Sequence, residues 1–198
     1  MKVLDDLRVL EAFAPGQRGV FSTRDLQIAL RDPQRASFSR RVDALIGTGR
    51  LRRFQRGWYV AEEFDLATLS QRLAPESVVS FANVLARRLL IGPAPRRQVM
   101  ATKVGRGRTH RALGVEIVHL SVSPELLFGF EVEDGVRWAD AEKAVLDTLY
   151  FHLRGRRYSF DLFSDIDFDR LDEDRLRSYL ERYRNPKFVK FARGVLEL

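Results

Sequence analysis

The chain has 198 residues, 45% of them hydrophobic, and a formal net charge of +7, which suffices for two small domains or one larger one with an ordinary core. The absence of cysteine excludes disulfides and thiolate metal sites and fits a reducing compartment. Asp5 and Asp6 stand where a signal peptide would carry its apolar run, and no stretch approaches the roughly 18 apolar residues of a membrane span, so the expectation is a cytoplasmic protein with no membrane partner.

From the N-terminus, Val3, Leu4, Leu7, Leu10 and Phe13 are spaced for one helix face, and Ala14-Pro15-Gly16 ends that helix. Val20-Phe21 reads as a short strand. Ser22 with Asp25 three residues on resembles a capping box that opens a second helix through Leu26, Ala29 and Leu30. Arg31-Asp32-Pro33 breaks it, so that Gln34 opens a third helix with Phe38, Val42, Leu45 and Ile46 on its apolar face. Glycines 47 and 49 end this helix, and a basic hairpin with Gly57 at its turn follows, running from Arg50 to Val60. Helix, short strand, helix, turn, helix, hairpin is the order of a winged helix-turn-helix, expected over residues 1–62.

On a helical wheel Ser37, Arg40 and Ala44 point away from the apolar stripe, with Ser39 and Arg41 on its flanks. Small side chains let such a face approach a major groove while guanidinium groups reach bases or phosphates. Gln34, Ser37, Arg40 and Arg41, with Arg35 and Ser39 beside them, are the candidates for the groove. Arg52, Arg53 and Arg56 are the candidates for phosphates under the hairpin, and Thr23 and Arg24 for backbone contact at the N-terminus of the second helix. The competing reading is a solvated amphipathic helix whose arginines fall there by chance. Charge favours a polyanion partner: residues 1–60 hold twelve Lys/Arg against six Asp/Glu, so +6 of the total +7 lies in the first third.

Residues 61–75 read as a connector containing a short helix and closed by Pro75. A second domain, expected over 75–198, opens with a helix over 77–91 capped by Ser80, followed by strands at 98–103 and 115–121 joined by a loop at 104–111. After an acidic turn at Glu133-Asp134-Gly135 the pattern predicts a strong helix over 139–153 and two more at 172–184 and 186–198. The fold class expected is therefore α+β, the N-terminal helix-and-wing domain followed by a small mixed α+β domain with a helical C-terminal end.

The segment Ala139-Asp140-Ala141-Glu142-Lys143-Ala144-Val145-Leu146-Asp147-Thr148-Leu149-Tyr150 resembles the A-x-x-E-K-A-L-L-D-x-L-Y segment of the AbiEi-type antitoxins, found in bacterial type IV toxin-antitoxin and abortive-infection systems. Other pieces fall in the family's order: Arg56-Gly57-Trp58-Tyr59-Val60 at the end of the wing, Ser80-Phe81-Ala82, Leu90-Ile91-Gly92-Pro93, a strand ending at Thr102, and Leu127-Phe128-Gly129. The resemblance implies an autorepressor that binds a double-stranded DNA operator through its winged helix and opposes a nucleotidyltransferase-like toxin through its second domain. The sequence departs from the family at Asn83-Val84-Leu85-Ala86-Arg87-Arg88, where the family often has a histidine, and the chain is short for the family. A stand-alone regulator whose second domain dimerises or senses a ligand is the alternative.

Residues 87–111 carry eight basic side chains and no acid. Arg96, Arg97, Lys103, Arg106, Arg108 and Arg111 form a second basic patch that is read either as an extension of a nucleic-acid footprint, as the seat of an acidic partner, or as a solvated hairpin tip. Enzyme chemistry is sparse. His110, His119 and His152 lack metal-ligand spacing, and no catalytic residue, metal or cofactor is expected. The best enzymatic candidate is the Asp165/Asp167 alternation, which on a strand would place two carboxylates on one side for a nucleotidyl-transferring metal; Asp165, Asp167, Asp169 and Asp172 read more simply as loop and cap residues. Lys143 and Asp147, four apart, are expected to pair on the helix surface.

Overall fold

The computed structural model describes residues 2–93 and 95–198, Lys2 by its backbone alone, so the first residue of the expected 1–62 domain lies outside the described residues. The protein is mixed α+β, and the chain divides into two compact units, Met1–Leu69 and Ser70–Leu198. The boundary falls inside α4 (Leu66–Leu73), the short helix of the connector.

In the first unit the elements are α1 (Lys2–Phe13), β1 (Val20–Ser22), α2 (Thr23–Leu30), α3 (Arg35–Gly47), β2 (Leu51–Gln55) and β3 (Trp58–Ala61). The three strands form an antiparallel sheet in the order β1-β3-β2. Local chemistry sets each boundary. Ser22 Oγ accepts from the Asp25 N–H at 3.1 Å while the Ser22 N–H donates to Asp25 Oδ2 at 2.8 Å, a reciprocal cap that opens α2. Arg31 then turns left-handed (φ 49°) and Pro33 stops any continuation. Phe38, Val42 and Leu45, spaced for one stripe of α3, are buried with Leu10, Phe21, Leu26 and Leu51, each such side chain contributing roughly 1.5–3 kcal/mol by leaving water. Gly19 (φ 69°) has no room for a side chain, because a Cβ there would overlap the carbonyl oxygen of Glu63 where the chain returns from β3.

The second unit is built on a six-stranded mixed sheet, order β6-β7-β5-β4-β9-β8, from β4 (Val78–Val79), β5 (Gln98–Val104), β6 (Arg108–Ala112), β7 (Val115–Val122), β8 (Phe130–Glu133) and β9 (Val136–Ala139). With α5 (Ala82–Arg87), α6 (Ala141–Leu153), α7 (Glu173–Leu180) and α8 (Pro186–Leu196) it encloses one core, in which Ala144, Val145, Leu146 and Leu149 of α6 are fully buried. Three expectations change here. The helix expected over 77–91 gives way to β4, a left-handed Phe81 (φ 61°) and the shorter α5; Val78 and Val79 are taken by the sheet, paired with Thr102 and Ala101 and, at Val79, with Trp138. The expected loop at 104–111 holds strand β6, an edge strand antiparallel to β7, so that β5 and β7 run parallel. Basic side chains suit such an edge because they discourage pairing with another chain.

The third change concerns α6. Lys143 and Asp147 pair as expected, but inside the protein, with side chains 2% exposed, and Ser80 Oγ donates to Asp147 Oδ2 at 2.8 Å. Glu142 is buried too, accepting from the Asp172 N–H at 3.0 Å and from Arg175 at 3.4 Å. A helix packed on by α5, α7 and α8 has no free face, so its charges must find partners within the core.

Candidate nucleic-acid interface

Most of the candidates in the first unit lie on α3 and the β2–β3 hairpin, and they separate into two groups. Arg41 is the clearest member of the first. Its Nε and Nη2 take both oxygens of buried Asp6, at 2.9 and 2.5 Å, while Nη1 donates to Asp32 Oδ2 at 3.1 Å and to the Leu30 carbonyl at 2.9 Å. The Asp6 hydrogen bonds raise the Arg41 pKa above its ordinary value against the opposing effect of burial, with Asp32 adding to them. Ser37 Oγ donates to the same Asp32 at 2.7 Å. That bond and the Arg41 guanidinium hold the Asp32 carboxyl below the usual carboxylate range. Arg41 and Ser37, expected at the groove, therefore fasten α1, the α2–α3 turn and α3 to one another.

Arg52 and Thr23 are committed in the same way. Arg52 Nη2 donates to the carbonyls of Ala61 and Glu62, at 3.3 and 2.7 Å, and the guanidinium lies 5.8 Å from the Phe64 ring centroid. The Thr23 N–H and hydroxyl both donate to the Gly57 carbonyl, at 2.9 and 3.4 Å, which ties the hairpin turn to the start of α2.

The second group stands in solvent. Gln34, Arg35, Ser39 and Arg40 are exposed along α3, Arg24 is exposed in the first turn of α2, and Arg53 and Arg56 are exposed on the hairpin. Gln34 is the N-cap of α3 and its backbone N–H donates to Asp32 Oδ1 at 3.2 Å, but its side chain makes no cap. Arg40 makes one hydrogen bond, from Nε to the Ala36 carbonyl at 3.3 Å. That bond lays the exposed side chain along its own helix. Arg53 lies 5.7 Å from the Tyr59 ring centroid and 3.6 Å from Asp43 in an exposed pair, which has little strength in water. Sequence reasoning missed Asp6 and Asp32, the carboxylates that decide which arginines remain available. It also missed exposed Arg31 and Arg50, the latter 3.1 Å from Glu62.

The second basic patch is divided between the ends of β5. Lys103, Arg106 and Arg108 gather at the C-terminal end, where Lys103 Nζ donates to the Arg106 carbonyl at 3.4 Å. Arg96, Arg97 and Arg111 belong to the other end, with Arg111 paired to Glu116. Asp165 and Asp167 lie outside any strand: Asp165 accepts from the Asp161 N–H at 2.8 Å within a turn, and buried Ile166 separates the two exposed carboxylates. Among the described residues no group of three or more His, Cys, Asp or Glu could hold a metal ion, and no helix is long and apolar enough to cross a membrane.

No family model matches the chain, and no curated protein matches it. Among solved structures it is similar to the crystal structure of the RV2827C protein from Mycobacterium tuberculosis, with a TM-score of 0.64 and 14% identity, over 96% of this chain and 75% of that one. At that identity the likeness is one of fold.

Proposed function

We propose that the protein is a DNA-binding transcriptional regulator whose first unit acts as a winged helix-turn-helix, with α3 as the recognition helix and the β2–β3 hairpin as the wing. The observation that carries this reading is the division within α3: Arg41 is consumed by Asp6 and Asp32, while Arg35, Ser39 and Arg40 on the helix and Gln34 at its N-cap remain exposed. A helix fastened along one flank and bare on its solvent side offers a rigid face to a major groove, with small Ser39 letting it approach and Arg40 reaching a base edge. Arg53 and Arg56 on the wing, and Arg24 at the start of α2, then meet phosphates. No catalytic residue is assigned.

The wider role proposed is that of an antitoxin-type autorepressor, on the strength of the AbiEi-like segment at residues 139–150, with a nucleotidyltransferase-like toxin as its counterpart. The alternative, a free-standing regulator, gives the second unit a ligand-sensing or dimerising task. Two measurements test these readings. Fluorescence anisotropy of the full chain on the DNA upstream of its own reading frame, against a scrambled duplex, is expected to show tighter specific binding, by about 10³-fold or more; equal affinity for both duplexes refutes a sequence-reading α3. Expression of each flanking reading frame alone and with this chain tests the antitoxin role. Growth arrest that the full chain relieves supports it, and the absence of any toxic neighbour favours the free-standing regulator.

A further inference from the structure

The second unit carries a cleft of about 740 Å³ that the DNA-binding reading leaves unused, a size within the range of about 300–1,000 Å³ typical of small-molecule sites. It opens between the Gln98 end of β5, the β6–β7 turn and residues 156–160, which follow α6. Its chemistry is uneven in a way that points to a ligand. Four arginines line it, Arg97, Arg111, Arg156 and Arg157, against one carboxylate, Glu116. Glu116 is already committed: Gln98 and Arg111 both bond to it, Gln98 with the larger effect, and they hold its pKa below the ordinary range.

The other three cations make no ion pair, although Arg156 lies near enough to Glu116 to help lower its pKa. Arg97 donates only to the Leu113 carbonyl, at 3.2 Å, and Gly114 (φ 71°) keeps space for it, since a Cβ there would overlap the guanidinium. Arg156 lies with Nη2 3.9 Å from the Met100 sulfur on the cleft wall. Among the described residues no carboxylate comes within ion-pair distance of Arg97, Arg156 or Arg157.

Beside these cations stands a row of aromatic rings. Phe81 and Tyr158 lie with centroids 6.3 Å apart, and Tyr158 and Phe160 5.4 Å apart at 31°. The Tyr158 hydroxyl donates to the Thr148 carbonyl at 3.1 Å, which fixes the middle ring, and half-buried Phe160, tilted against it, ends the row at the cleft. Three guanidinium groups without an ion-pair partner ask for a ligand with several negative charges, and a row of rings that ends half-buried at the cleft offers a face to a flat ring on the same molecule.

We propose that this cleft binds a nucleoside polyphosphate, its phosphates on Arg156 and Arg157 with Arg97 adjacent, and its base against Phe160. The proposal rests on the second unit alone and stands or falls independently of DNA binding by α3. The test is isothermal titration calorimetry of the full chain with ATP, GTP, CTP and UTP in turn. Sodium tripolyphosphate and adenosine serve as the two halves of the ligand, and a mixed-sequence single strand of about ten nucleotides as the extended version of it.

The expected result is binding of at least one nucleotide in the range of about 1–100 μM, with tripolyphosphate and adenosine each weaker by about tenfold or more. Arg156→Gln is expected to weaken the nucleotide by about tenfold or more, and Phe160→Ala to weaken the nucleotide while leaving tripolyphosphate unchanged. Arg157→Gln, at an exposed position, repeats the phosphate test should Arg156→Gln fail to fold. Four results overturn the proposal: no nucleotide binding at about 1 mM, binding indifferent to these substitutions, tripolyphosphate as tight as the nucleotide, or a single strand that binds more than about tenfold tighter through the same arginines. The last would make the cleft a track for unpaired nucleic acid.

Discussion

α3 and α6 are both thirteen residues long and both carry charge on most turns, yet they use it in opposite ways. α6 packs against α5, α7 and α8 and encloses Glu142, Lys143 and Asp147, so its charges are spent inside the protein, Lys143 and Asp147 on each other and Glu142 on the start of α7. α3 lies at the edge of its unit and encloses one guanidinium, that of Arg41, while Arg35 and Arg40 remain in solvent. The difference teaches how to separate arginines that hold a fold from arginines that can meet a ligand. The criterion is the number of donors already satisfied by protein oxygens, since a guanidinium with its fork filled has nothing left to offer a base or a phosphate.

The largest effect is expected where charge is most deeply enclosed. Lys143→Ala leaves Asp147 buried with Ser80 as its remaining hydrogen-bond donor, and burying an unpaired carboxylate costs about 3–5 kcal/mol. The double variant Lys143→Met with Asp147→Leu removes both charges and is expected to recover most of that loss. Urea unfolding of the parent and the variants checks it, and a double variant as unstable as the single one would show that the pair itself, rather than its desolvated remainder, holds α6.

Arg41→Ala is the corresponding break in α3. It strands Asp6, at 3% exposure, and removes four hydrogen bonds, so a loss of about 2–4 kcal/mol is expected from a partly exposed pair. Any loss of DNA binding should then follow the fraction unfolded. Arg40→Ala sharpens the contrast: stability within about 0.5 kcal/mol of the parent, with about 1–3 kcal/mol of discrimination lost between specific and scrambled duplexes. Anisotropy titrations alongside thermal melts separate the two. A folded Arg41→Ala protein that loses sequence preference would place Arg41 at the groove after all.

These neighbours also show how far the sequence could be read. In the first unit each element boundary is a local device, Ser22 with Asp25, Pro33 after α2, Gly57 in the hairpin, and such devices are legible within a few residues. Arg40 could be placed on an open face from the wheel alone. Arg41 could not, because its partner Asp6 is 35 positions away, and nothing in a window around α3 contains that information. The second unit is harder for the same reason. β4 has two residues and owes its existence to Ala101, Thr102 and Trp138, and β6 is drawn out of a Gly-Arg sequence by its pairing with β7. The surface assignment of Lys143 and Asp147 fails because spacing shows that two side chains meet without showing what covers them.

A buried histidine extends the comparison to pH. His119 on β7 is 2% exposed, with Nε2 3.0 Å from Ser70 Oγ, and burial, helped by His110 and Lys103, lowers its pKa to about 4. Between pH 6.5 and 4 the unfolded chain binds a proton that the folded chain refuses, so stability falls as pH drops through that window, by about 1–3 kcal/mol for this group. His119→Gln, which keeps a polar partner for Ser70, is expected to flatten that part of the stability profile. A profile unchanged by the substitution would assign the acid sensitivity to carboxylates.

The smallest effect belongs to the wing, and it tests the exposed group without touching the fold. Arg53 has two weak contacts, Asp43 at 3.6 Å and the Tyr59 ring at 5.7 Å, and Arg53 and Asp43 are both more than half exposed, so these contacts contribute little to stability. Removing the guanidinium by Arg53→Ala should leave the melting temperature unchanged and weaken specific and scrambled duplexes alike. If Arg53 neutralises one phosphate, one counterion fewer is released on binding, and the slope of log K against log salt falls in magnitude by about 0.9. Asp43→Ala adds a second reading, since freeing Arg53 from its neighbour and removing a negative charge beside the DNA should tighten both duplexes equally and leave that slope nearly unchanged. A parallel loss of sequence preference in Arg53→Ala would instead mean that the hairpin reads bases, and the division between a helix that reads and a wing that grips would not hold.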